Sequence, residues 1–150
     1  MDARFVNCTI AALLSVLPQL GFNNVVRGKV FAKEQFIDSL GVAVNVVTSQ
    51  PAGNIVFNMT EESAKRLSSV MLNGAAVGEL DDLAQSTICE MVNMVSSNAA
   101  ISLNKSGIEI QLASPALSQC NSKVRVCNSN YIGIEMAVDE LMIEIGIGLN

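Results

Sequence analysis

Histidine is absent from the 150-residue chain. Without it no Ser-His-Asp or Cys-His nucleophile system can be assembled, and a histidine-liganded zinc site is excluded. Positive charge is scarce as well: nine Lys and Arg face fourteen Asp and Glu, for a net charge of −5. With no basic cluster to offset this, a nucleic-acid backbone or an anionic membrane surface is a poor partner. Long apolar runs are missing. The N-terminal run at residues 10–17 stops at Pro18 and is too short to cross a bilayer. Asp2 precedes it, and neither a basic leader nor a small-residue cleavage site accompanies it, so no signal peptide is expected. The cysteines Cys8, Cys89, Cys120 and Cys127 show no C-x-x-C spacing. In a chain expected to be cytoplasmic they are reduced thiols that pack as small hydrophobes. Aromatics make up only 4% while half of all residues are hydrophobic. Val, Ile, Leu, Met and Ala must therefore build the core of a globular chain, and the length suits a single domain over residues 1–150.

What is present reads as elements of both kinds. Asp2 can cap a first helix in which Phe5, Cys8, Ala12, Leu13, Val16 and Leu17 recur at helical spacing, ending near Pro18 and Gly21. Residues 25–31 read as a weak strand, residues 42–48 as a strong β-branched one, and residues 54–59 as its partner across the turn Ser49-Gln50-Pro51-Ala52-Gly53. Thr60 caps a helix over residues 61–72 that stops at Asn73-Gly74. Asp81 or Asp82 caps a longer helix to about Leu103, and Asp82 with Gln85 has capping-box spacing. Strands are then expected at residues 108–113, closed by Pro115, and at residues 124–127. A final hairpin, residues 131–138 and 141–149, turns at Asp139-Glu140. Runs of strands without strict βαβ alternation indicate an α+β fold, a mostly antiparallel β-sheet packed with about three helices. Gly146 and Gly148 in the last strand read as structural, allowing a bulge or close packing.

The long second-half helix carries a feature that packing alone does not require. Ala84, Ile88, Met91, Val92, Val95 and Ala99 fall on one arc and form its core face. Ser86, Glu90, Asn93 and Ser97 are spaced four, three and four apart and line the opposite side as one stripe. A merely solvated face usually mixes charges of both signs. This one has a single carboxylate, and apolar Leu83, Met94 and Ile101 border it, as suits a contact surface. Glu79, Asp81 and Asp82 are acidic neighbours near the helix start and read as a solvated helix terminus rather than a metal site.

The arrangement Ser86-x-x-x-Glu90-x-x-Asn93, with Pro115 about twenty residues further on, resembles the signature of the CheC/CheX/FliY family. So do the opening Met1-Asp2-Ala3-Arg4-Phe5-Val6-Asn7 and the order of elements. These are phosphatases of the chemotaxis response regulator CheY. Some members carry the motif on two related helices. Here the earlier helix offers Glu62-Ser63-Ala64-Lys65, where a donor-only lysine stands in place of the asparagine. The single-motif, CheX-like pattern is the one that fits.

The resemblance implies a CheC/CheX-like fold and hydrolysis of an aspartyl phosphate on a CheY-like receiver domain. It makes Asn93 the residue that positions water and Glu90 the residue that pairs with a receiver lysine, with Ser86, Met94 and Ser97 as partner contacts. An acyl phosphate is already activated, so positioning a water in line with phosphorus is what remains to be supplied. No cofactor is expected on this chain, and Mg2+ is expected on the receiver. The resemblance also implies a homodimer formed through the sheets, with the long apolar C-terminal strand as an edge needing cover. The other reading of the same fold is a non-catalytic adaptor that binds a receiver or a flagellar switch component.

Overall fold

Two aspartates open the two longest helices. Asp2 caps α1 (Ala3–Gln19) by accepting from the Arg4 N–H, and Asp81 caps α3 (Asp82–Lys105) by accepting from the Ala84 N–H. The shift that carries Asp2 onto Asp81 also carries every buried residue of α1 onto a buried residue of α3: Phe5 onto Ala84, Thr9 onto Ile88, Ala12 onto Met91, Leu13 onto Val92, Val16 onto Val95 and Leu17 onto Ser96. The sheet repeats the correspondence. In the computed structural model, which describes residues 1–150, the remaining elements are β1 (Val25–Asp38), β2 (Gly41–Ser49), β3 (Gly53–Thr60), α2 (Glu61–Met71), β4 (Gln111–Leu112), β5 (Ala116–Cys120), β6 (Lys123–Val138) and β7 (Leu141–Leu149). They form one antiparallel sheet in the order β1-β6-β7-β3-β2-β4, with β5 also on β2. The hairpin β2-β3 corresponds to β6-β7, and β1 lies on β6 as β5 lies on β2. The two halves are therefore related by a pseudo-dyad through the β3–β7 pair and normal to the sheet.

All three helices lie on one face. Phe57 and Met59 of β3, Val42, Val44 and Val46 of β2, and Ile143, Ile145 and Ile147 of β7 point up into the main core beneath them. On the other face the far ends of β1 and β6 fold back across the sheet. Ile37, Val126, Cys127 and Tyr131 pack there on Ala43 and Val56. Gly148 leaves room for this layer: a Cβ on it would stand 2.6 Å from the Cys127 Cβ.

Several strand assignments shift from the sequence expectation. The C-terminal strand is not an edge. It runs between β3 and β6, and its second half, from Ile145 to Gly148, is buried on both faces, which is why it reads as nearly continuous apolar sequence. The edges are β1 and the β4/β5 pair. β1 continues past Phe31 to Asp38 through a register shift between Glu34 and Phe36, where Gln35 takes positive φ. Residues 108–110 do not pair. Ile108 and Ile110 instead pack against the core, and only Gln111 and Leu112 join β2. Pro115 interrupts that edge, since it has no N–H to give the ladder, and β5 resumes it, a strand the sequence did not reveal. Residues 124–127 and 131–138 are one bent strand, β6. The cap of α3 is Asp81 rather than Asp82: its carboxylate accepts from the Ala84 N–H at 2.9 Å, and the Gln85 side chain donates to the Leu80 carbonyl at 2.7 Å instead of closing a box with Asp82.

Arg4 ties the two related helices together. Its Nη1 donates to the Ser106 carbonyl at the end of α3 at 2.7 Å, and its Nη2 meets Asp2 at 2.7 Å. The N-terminus of α1 thus lies at the C-terminus of α3, and the helices run antiparallel. Hydrogen bonds from the Arg4 guanidinium, and then from its backbone N–H, hold the Asp2 carboxyl at about 2, below its ordinary 3.8. A carboxyl depressed on folding stabilises the fold above its unfolded pKa, and that contribution is lost as pH falls through the folded value. The variant Asp2→Asn keeps a competent cap but not the charge. It should melt below the parent at about pH 6, and the gap should shrink to a small remainder at about pH 2. Melting curves at the two pH values check this, and an equal gap at both would remove the ionic contribution.

Candidate functional site

α3 has a core face and an outer face. Ala84, Ile88, Met91, Val92, Val95 and Ala99 are buried against the sheet and the neighbouring helices. On the outer side Ser86, Glu90 and Asn93 are exposed, while Ser97 and Met94 are half-buried. The structure therefore brings the five expected residues together along one side of a single helix, where residues three and four apart are neighbours. Met94 stands at the margin, packed in part against the main core.

Glu90 takes part in none of the four ion pairs of the chain. The side chains of α3 that donate hydrogen bonds within the chain are Gln85 and Thr87, so the Glu90 carboxylate and the Asn93 carboxamide have no intramolecular partner. One is an acceptor only; the other offers both a carbonyl acceptor and an NH2 donor. A charge and a bifunctional hydrogen-bonding group, one turn apart on a rigid rod, suit insertion into a cleft on another molecule.

The two flanks of the stripe differ. On one, Cys89 meets Leu117 of β5, and a shallow depression lies between them, lined also by Asp82, Gln85 and Ser86. Burial pushes the Cys89 thiol up, against the lowering effect of a backbone hydrogen bond from Leu117, so it is a poor nucleophile at neutral pH. Pro115, half-buried, stands on the same side between β4 and β5. The opposite flank carries Leu83, Met94 and Ile101.

The sequence points to α2, through Glu62-Ser63-Ala64-Lys65, as the place of a second motif. The topological counterpart of α3 is α1, not α2. At the positions matching Ser86, Glu90 and Asn93, α1 presents Asn7, Ala11 and Leu14, all exposed. Neither the carboxylate nor the carboxamide of the pair is present there. On α2, Lys65 pairs with Glu61 at 3.4 Å, leaving Glu62 alone. The signal that identifies α1 is the repeated Asp cap with its matching buried positions, which hydropathy alone does not single out. Of the acidic residues ahead of α3, Asp81 is engaged as the cap, and no three His, Cys, Asp or Glu side chains converge to hold a metal ion. The enclosed cavity under α1 and α3, beside the unpartnered Ser96 hydroxyl, lies on the core side of α3 and not on the stripe.

The helix-layered sheet with its pseudo-dyad is the fold of chemotaxis proteins of the CheX and CheC-like kind. The structure of CheX from Vibrio vulnificus superposes with a TM-score of 0.85 at 23% identity, covering 97% of this chain and 99% of that one. The CheX–CheY–BeF3–Mg2+ complex from Borrelia burgdorferi gives 0.78 at 21% identity, with 97% of each chain covered. The CheY-P phosphatase CheX of Thermotoga maritima is 29% identical over 124 residues, 78% of this chain and 76% of that protein. The family model for chemotaxis phosphatase CheX matches residues 41–132, more than half of the chain, and the chain belongs to that family.

Because Glu90 and Asn93 face solvent, the fold does not depend on them. Glu90→Gln and Asn93→Ala should each change stability by no more than about 0.5 kcal/mol. Denaturant unfolding checks this. A loss of several times that amount would give the stripe a role in the fold and not in binding.

Proposed function

We propose that the chain is a phosphatase that hydrolyses the aspartyl phosphate of a CheY-like receiver domain, with α3 entering the receiver's active site. The observation that carries this reading is the pair of unpartnered groups, Glu90 and Asn93, exposed on a helix whose other face is fully committed to the core. Membership of the chemotaxis phosphatase CheX family and likeness to a CheX solved in complex with CheY support it.

The chemistry suits so spare a site. The phosphoryl group on an aspartate is an acyl phosphate and needs no further activation, so a water held in line with phosphorus completes the requirement. The Asn93 carbonyl accepts from that water and its NH2 donates to a neighbouring oxygen. Glu90, ionised, pairs with a lysine of the receiver active site and fixes the helix in register through a charge-assisted hydrogen bond. Ser86, Met94 and Ser97 contact the receiver around this pair. Magnesium is held by the receiver and neutralises charge on the phosphoryl oxygens.

The same reading includes a homodimer. β1 is an open edge of fourteen residues on which Val26, Val30 and Phe36 are exposed, and pairing with a second copy would satisfy its free N–H and C=O groups. Light scattering should return twice the 15.9 kDa chain mass, and a monomer at assay concentration removes this part of the reading.

Phosphate release from a phosphorylated receiver is the direct test. Asn93→Ala should slow it by roughly 10²-fold or more, the scale of losing one group positioned for the transition state. Glu90→Gln should lower kcat/KM through weaker docking. Release at the parent rate by Asn93→Ala would exclude the carboxamide from the mechanism.

A further inference from the structure

The catalytic stripe is too small to hold a folded partner. From Ser86 to Ser97 a helix rises about 16 Å, and a helix with its side chains is about 10 Å wide. That is roughly 160 Å2, whereas a partner usually covers about 800 Å2 on each side of a specific interface. A receiver seated on Glu90 and Asn93 must therefore spread over one flank of α3. The two flanks are chemically unequal.

Toward β5 the flank is mixed, with Asp82 and Gln85 on α3 and Gln119 on the strand beyond exposing polar groups around the half-buried Cys89 and Leu117. Toward α1 it is apolar. Leu83 is 62% exposed and Ile101 58% exposed, the two most exposed large hydrophobics of the chain, with Met94 between them. They stand eighteen positions apart on one side of α3, about 27 Å along the helix axis and close to the diameter of a small domain. The direction of this flank follows from the other one. Cys89, across the stripe, meets Leu117 of β5, so Leu83, Met94 and Ile101 lie on the side away from β5, where α1 packs antiparallel to α3.

The dyad is normal to the sheet, so the outer faces of α1 and α3 look the same way. Antiparallel packing from the Arg4–Ser106 contact carries Leu14 alongside the middle of α3. Leu14 is 42% exposed and occupies the position equivalent to Asn93. Ala11, equivalent to Glu90, is small and exposed, leaving the surface between the helices low and uncharged.

We propose that Leu83 and Ile101 of α3, with Leu14 of α1, are the apolar anchors that orient the receiver. The partner then leans over α1, and the outer face of α1 serves as docking surface in place of a second active face. The matching feature on the receiver is an apolar patch to one side of its phosphorylated aspartate. This rests on the receiver-phosphatase reading for the identity of the partner. The arrangement divides the work: the anchors bury apolar area, which sets affinity, and the Glu90/Asn93 pair acts on the phosphoryl group.

The test is the Kd for a CheY-type receiver held in its active form by beryllium fluoride and Mg2+, with turnover of the phosphorylated receiver followed in parallel. All three anchors are exposed, so their variants should fold; melting curves verify this. The pair Leu83→Ser and Ile101→Ser should raise Kd at least about tenfold, the loss of one modest hot spot. Leu14→Glu should weaken binding in the same direction, and Gln119→Ala on the β5 flank should leave Kd as it was. A Kd unmoved by the α3 pair and by Leu14→Glu, or one raised by Gln119→Ala instead, overturns the proposal. Parent chain that binds the receiver without turning it over sinks the phosphatase reading alone, while the anchor variants still decide the docking. Parent chain that does not bind it at all sinks both.

Discussion

Everything in this molecule is referred to the antiparallel pairing of β3 with β7. These two strands join the halves of the chain, from Gly53 opposite Leu149 to Asn58 opposite Glu144, and the pseudo-dyad passes between them. Ile55, Phe57, Ile145 and Ile147 project from the pair into the main core, and α1 and α3 are laid over them in opposite directions. A register slip of one residue here would turn the apolar set to the other face. The back face could not receive it, because Tyr131, Cys127 and Val126 already lie against Gly146 and Gly148.

The consequence for function is a division of faces on one helix. α3 is fixed by its inner side alone, so its outer side is free of any structural duty. The groups displayed there are ones that burial would penalise: a carboxylate and a carboxamide without internal partners, left in water at little cost. On the proposed function, a receiver whose own active site supplies the reactive bond needs only this much from outside. The pseudo-dyad thus relates two equivalent helices with unequal outer faces. One keeps the polar pair. The other has Ala11 and Leu14 in the corresponding places, and the surface formed by the two together is chemically asymmetric.

What the sequence discloses tracks how local the determinants are. The stripe of Ser86, Glu90, Asn93 and Ser97 was legible because helical spacing alone decides that its members share a side. The caps of α1 and α2 and the hairpins β2-β3 and β6-β7 were legible because their turn residues and apolar patterns lie within a few positions of each other. The long-range pairings were not. β5, reading Ala-Leu-Ser-Gln-Cys, is an edge strand with little to bury and therefore no apolar alternation. The second half of β1 passes through Lys33, Glu34 and Gln35, which look like loop and form a strand only because β6 lies beside them. The place of β7 at the centre could have been inferred from its apolar run, since a strand buried on both faces need not alternate. The pairing of α1 with α3 required the matched burial of six positions, which is visible only once the core is known.

The central claim is that a receiver docks on the outer face of α3. Amide shift mapping of the labelled chain against a beryllium fluoride-activated receiver tests it most directly. The largest perturbations should run along α3 from Ser86 to Ser97 and extend onto the adjoining face of α1, with the far face of the sheet unchanged. Perturbations centred on β1 or on the layer around Tyr131, with α3 unmoved, would contradict it.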